Sequence, residues 1–146
     1  MEIDFENLGA QLSFQNLNNN PTKIRFRKIP LSEIHPDSDW EMRPRPDIPK
    51  EILSSWGLIG ISDDKTEAAF VVGSNSSGPF TTSVAPGVFP FFAPDFSGVI
   101  TPSGSFYRLQ KHDENDPDVH ETLMIVHAFR IWGYRDVVAH FPGVVF

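Results

Sequence analysis

The segment PKEILSSWGLIGIS, residues 49–62, decides how the rest of the chain is read. Pro49 suits the first turn of a helix, Asp47 can cap it, and Ile52, Leu53 and Trp56 fall at helical spacing. Gly57 then offers a stop in the left-handed conformation. This reading gives a short helix over about 49–57, after which LIGIS (58–62) opens a strand. The charged turn DDKT (63–66) leads into EAAFVVG (67–73), a short apolar run bounded by turn residues and therefore a buried strand.

Towards the N-terminus, KIRFRKIPL (23–31) alternates. Ile24, Phe26 and Lys28 point one way while Lys23, Arg25 and Arg27 point the other, the period of a half-buried strand. Its basic row reads as a solvated face that discourages edge pairing. NLNNNPT (16–22) is a break ahead of it. LSEIHPDSDWEMRPRPDIP (31–49) carries four prolines, which exclude a long helix or a central strand and leave a surface loop. Trp40 in that loop either pins it to the core or stands ready for a partner.

Towards the C-terminus, Asp95 is the only charge between Ala68 and Phe106. GVIT (98–101) and SFYRLQ (105–110) read as a hairpin across Pro102, Ser103 and Gly104. The preceding VAPGVFPFFAPDF (84–96) has prolines at 86, 90 and 94, so it reads as an edge or extended loop that keeps some rings near the surface. Phe89 and Phe91 would share one face, Phe92 and Phe96 the other. In NDPDVHETLMIVHAFRIWGY (115–134), Asp116 with Pro117 makes an N-cap and first-turn pair, Asp118 and Glu121 favour the positive end, and Gly133 offers a stop. This predicts a helix over about 117–132. The β-branched Val119, Thr122, Ile125, Val126 and Ile131 leave a strand as the alternative. RDVVAHF (135–141) reads as a last strand and GVVF (143–146) as a docked terminus. The fold class expected is α+β: one compact domain over 1–146 with an antiparallel sheet, a short helix at 49–57 and a longer one at 117–132.

With 146 residues the chain has the length of one domain. It has no cysteine, which excludes disulfides, thiolate metal sites and a cysteine nucleophile. The opening MEIDFENLGAQLSF is acidic and lacks an apolar core, unlike a signal peptide, so a cytoplasmic, membrane-free protein is expected. A net charge of −7 disfavours nucleic acid, which is bound by neutralising phosphates, and suits a basic partner.

Catalytic signatures are missing. GxSxG, GxGxxG and GxxxxGK[ST] do not occur. On a helix His120 and His127 would stand about 10 Å apart along the axis, too far to share a metal ion. HDENDPDVHE (112–121) departs from a calcium loop, with Pro117 where a ligand is needed. No catalytic residue, metal or cofactor is therefore assigned. The expected function is a non-enzymatic protein-binding domain, of the inhibitor or immunity-protein kind that blocks another protein, with self-association as a further arrangement. Its candidate binding residues are Trp40, Phe89, Phe91, Phe92, Asp95 and Phe96, because interfaces favour aromatic rings in a rigid frame. The alternative is a small-ligand-binding protein or hydrolase-type enzyme with a phenylalanine-lined pocket, taking polar groups from Tyr107, Arg108, His127 or His140.

Overall fold

The computed structural model describes residues 13–19, 22–82 and 88–131. Among them are seven strands, β1 (Arg25–Ile29), β2 (Glu51–Ser62), β3 (Glu67–Asn75), β4 (Gly78–Thr81), β5 (Phe91–Phe92), β6 (Gly98–Ile100) and β7 (Phe106–Leu109), and one α-helix, α1 (Val119–Ile131). The strands form one sheet in the order β4-β3-β2-β7-β6-β5, with β1 also paired to β2. The strand expected at 135–141 and the docked terminus at 143–146 lie outside the described residues.

The short helix expected at 49–57 is instead the first half of β2, a twelve-residue strand. Two neighbours override the local signal. Glu51, Ile52 and Leu53 pair in parallel with Tyr107, Arg108 and Leu109, while Leu58–Ser62 pair antiparallel with β1 and Gly57–Ser62 with β3. The sheet is therefore mixed, where an antiparallel one was expected. Between the halves the register with β3 shifts from Ser54 to Gly57, and Ser55 takes a positive φ of 49°. Extra residues at such a bulge reset the two-residue alternation. Leu53 and Trp56 thus both face the interior, three apart, which imitates the spacing of a helix face.

The bulge also lets the two halves of the sheet enclose a common core. Ile29, Leu58 and Val71 from β1–β3 and Val99, Tyr107 and Leu109 from β6 and β7 join one buried cluster with Trp56. The opposite face of β1–β3 carries Phe26, Ile59, Ile61, Phe70 and Val72, and Ile125, Val126 and Phe129 of α1 pack onto it. Phe129 meets the rings of Phe26 and Phe70 edge-on at 5.0 and 6.0 Å. Burying each such side chain contributes about 1.5–3 kcal/mol, which overrides the weak helix propensity of the β-branched residues in α1.

The turns follow their residues. Asp63 accepts hydrogen bonds from the backbone N–H groups of Lys65 and Thr66 at 2.8 and 2.7 Å, closing the β2–β3 turn. Gly104, at φ 91°, closes the β6–β7 hairpin read from GVIT and SFYRLQ. The helix read at 117–132 is present, but its N-cap is Asp118 rather than Asp116. The Asp118 carboxylate accepts from the Glu121 N–H at 2.8 Å, and Glu121 accepts from the Asp118 N–H at 3.2 Å. This reciprocal capping box is stronger than the Asp116–Pro117 signal because it satisfies two backbone donors at once.

Candidate functional site

The aromatic segment enters the sheet as β5, its edge strand, with Phe91 opposite Ile100 and Phe92 opposite Val99. Successive strand residues point to opposite faces, so the two rings part company. Phe92 is buried, 2% exposed, and stacks on Trp56 at 5.5 Å. Phe96 joins the same side, 6.4 Å from Trp56 and 6.1 Å from Phe92. It reaches that side from a turn in which its φ is 58° and its N–H bonds to the Ala93 carbonyl at 2.9 Å. Asp95 is exposed and closes this turn, accepting from the Ser97 hydroxyl at 2.6 Å and the Ser97 N–H at 3.1 Å. Those bonds hold its carboxyl below the usual carboxylate range.

Phe91 faces the other way, into a small cluster with Trp40, Ala93, Ile100 and Phe106. The proline-rich loop is laid across this face. Its backbone is tied by Asp37 N–H to the Phe92 carbonyl at 2.9 Å and by Lys50 N–H to the Phe106 carbonyl at 2.7 Å. Trp40 is the anchor, 6% exposed and 6.2 Å from the Phe106 ring. Gly98 makes room for it: a Cβ there would stand 2.9 Å from the Phe106 ring and 3.2 Å from that of Trp40. Two guanidinium groups close the top. Arg43 lies 3.6 Å over Phe91 and is bonded to Asp37; Arg45 lies 4.6 Å over Trp40 and bonds its carbonyl at 2.7 Å. The Arg43 hydrogen bond also holds the Asp37 carboxyl below its ordinary range.

The six expected residues thus fall into three settings. Phe92 and Phe96 belong to the Trp56 core, Trp40 and Phe91 to the loop-covered cluster, and Phe89 and Asp95 to the surface. Phe89 is 40% exposed beside the exposed Val88. The other exposed large apolar side chains are Met42, Ile48 and Ile52. Sequence reading places Ile52 on a helix face and assigns none of Met42, Ile48, Arg43 and Arg45 to the binding surface. The available signal was an apolar residue beside a proline or a charge in an otherwise polar loop.

A second feature lies at the end of β1. Lys28 and Leu31–Ser32 from the turn after it, together with His112, Glu114 and Asp116 before α1, line a cleft of about 510 Å³. Among the described residues no phenylalanine lines it. His127 and Tyr107 lie elsewhere, and His140 is outside the described residues. The His112 ring meets Trp56 edge-on at 4.7 Å, and neither of its nitrogens has a hydrogen-bond partner among the described residues. Burial, then the Lys28 charge, push its pKa down.

Among the described residues no cluster of three or more His, Asp or Glu could hold a metal ion, and no helix is long and apolar enough to cross a membrane. No protein-family model, no curated protein and no solved structure matches the chain.

Proposed function

We propose that the chain is a non-enzymatic protein-binding domain that docks another protein on the surface formed by the proline-rich loop and the entry to β5. One observation carries this reading: of the five exposed large apolar side chains of the described residues, four lie on the two segments that form this surface, Met42 and Ile48 on the proline-rich loop and Val88 and Phe89 at the entry to β5, while Ile52 stands on β2. Aromatic residues, methionine and arginine are the types enriched at interfaces, and here Arg43 and Arg45 are already fixed by ring and backbone contacts. A loop pinned by Trp40 and four prolines loses little further freedom on docking. Blocking the partner, as an inhibitor or immunity protein does, is the form of action proposed. A net charge of −7 favours encounter with a basic partner, and a chain without cysteine suits the reducing cytoplasm as the place of it.

The test is affinity capture from the native host with the wild type and a Met42→Ser/Phe89→Ser variant. Both substituted side chains are exposed, so the variant keeps its fold. A partner retained by the wild type and lost by the variant is expected. Equal capture by both, or recovery of nothing beyond the bait, refutes the docking surface.

A further inference from the structure

The last part of the proline-rich loop is a bridge fixed at both ends. At one end the Arg43 N–H bonds to the Trp40 carbonyl at 3.2 Å, and at the other the Lys50 N–H bonds to the Phe106 carbonyl at 2.7 Å. Between them runs RPRPDIP, residues 43–49. Proline fixes its own φ at about −65° and confines the residue before it to extended backbone. Arg43, Pro44, Arg45 and Pro46 are thereby biased to the torsions of a polyproline II helix, and Arg43 stands at φ −78°, ψ 128°. The chain then bends at Asp47 and Ile48. Among the described residues no hydrogen bond engages a backbone N–H or C=O of residues 44–49, as in a polyproline II backbone, which has no internal bonds. Both arginines are turned inward, Arg43 over Phe91 and bonded to Asp37, Arg45 over Trp40 and bonded to its carbonyl. Pro44, Pro46, Asp47 and Ile48 are left exposed. Between residues 39 and 50 the exposed charged residues are Asp39, Glu41, Asp47 and Lys50, an acidic balance.

Two modes of recognition suit an extended segment with unpaired backbone. Addition of a strand needs N–H donors along the segment, and proline removes them at 44, 46 and 49. A groove of aromatic side chains needs only the proline rings and the carbonyls, and it gains from a backbone already set in the bound shape. We propose, resting on the docking surface described above, that its partner reads Arg43–Pro46 as a polyproline II ligand in a groove lined by aromatic side chains, with a basic rim towards Glu41 and Asp47 and an apolar pocket for Ile48.

The test applies two synthetic peptides to the partner held on the immobilised full chain: residues 42–50, MRPRPDIPK, and the same peptide with alanine for all three prolines. The first should displace the partner, and the second should need a concentration about tenfold or more higher. Pro44→Ala/Pro46→Ala in the full chain should weaken capture by a similar factor. Both rings are exposed and proline donates no backbone hydrogen bond, so this variant keeps its fold, which circular dichroism checks. The 42–50 peptide contains no aromatic residue, so a saturable change in the purified partner's tryptophan and tyrosine emission reports the rings of its groove. A partner lost by Met42→Ser/Phe89→Ser yet held fully by Pro44→Ala/Pro46→Ala overturns the proline ligand and leaves the docking surface standing. Equal displacement by the two peptides, displacement by neither, or binding with unchanged emission also overturns it. Capture of nothing by the wild type overturns both.

Discussion

Trp56 and Trp40 stand on opposite sides of the Phe91–Phe92 pair and are sealed by different means. Around Trp56 close Phe92, Phe96, His112 and residues from both halves of the sheet, drawn from segments far apart in sequence. Around Trp40 close one loop, the outer face of β5–β7 and two arginine side chains. Both indoles are buried, yet only the first is inside a cluster to which all seven strands contribute. The second belongs to an attachment that can be altered while the sheet persists. Burial alone therefore does not separate a ring that makes the fold from one that holds a surface in place.

The largest expected effect falls on the Trp56 side. Phe92→Ala should destabilise the protein by about 3–5 kcal/mol in urea unfolding, the usual cost of emptying a buried phenylalanine site. Phe91→Ala should cost clearly less, since that ring is only half-buried. Equal losses would erase the distinction between the two sides.

Next comes Gly98→Ala, whose Cβ would collide with the rings of Phe106 and Trp40. A loss of about 1–3 kcal/mol is expected, as for other overpacked sites, with a red-shifted tryptophan emission reporting the lifted loop. Gly57→Ala makes a closer approach, but to the flexible end of Lys28, so its cost should be smaller. The reverse order would show that the loop, not the lysine, is the part that yields.

Acidification should act on the Trp56 side through His112. Burial lowers its folded pKa below the ordinary 6.5, with Lys28 a second cause; Asp113 and Glu114 oppose the shift. The unfolded chain then binds the proton more readily, so this contribution to stability is complete above about pH 6.5 and is lost as the pH falls towards and through the folded value. The urea midpoint of the wild type should fall between neutral and acid pH, and that of His112→Leu should fall less. Identical pH profiles would remove His112 as the cause. The smallest effect is expected from Phe89→Ser, within about 0.5 kcal/mol of the wild type, because the ring is largely outside the packed clusters.

Much of the architecture can be read from local patterns. KIRFRKI alternates as far as Lys28 because Ile24 and Phe26 pack on the α1 side while Arg25 and Arg27 are exposed, with Ile29 alone turning to the Trp56 core. DDKT carries its turn in the Asp63 side chain and PSG in the backbone freedom of Gly104. The helix at Val119–Ile131 is announced by acidic caps, though the actual box uses Asp118 and Glu121. The reading of 49–57 fails for a non-local reason. Its strand conformation depends on β7, more than fifty residues later, and a bulge at Ser54–Gly57 disguises the alternation. The candidate surface was legible only in part. Proline spacing points to an edge, which Phe91–Phe92 forms among the described residues, and the opposite faces of Phe91 and Phe92 follow from pleating. Which rings end up covered depends on where the 31–49 loop lies, and nothing in that loop's own pattern places it on β5–β7. The cleft was not legible at all. Lys28 and His112 come together only through the pairing of β1 with β2 and the bridge between Trp56 and His112.

The sharing of β2 between both halves of the sheet also bears on how the chain assembles. The β2–β3 hairpin spans a four-residue turn and can form early, since closing a short loop costs little entropy. The parallel pairing of Glu51–Leu53 with Tyr107–Leu109 must wait until the intervening strands are in hand, a non-local step of the kind that slows folding. Until then the first residues of β2 lack their β7 partner. The Glu51–Leu53 pairing with β7 is therefore the natural place to look for the slower step of refolding.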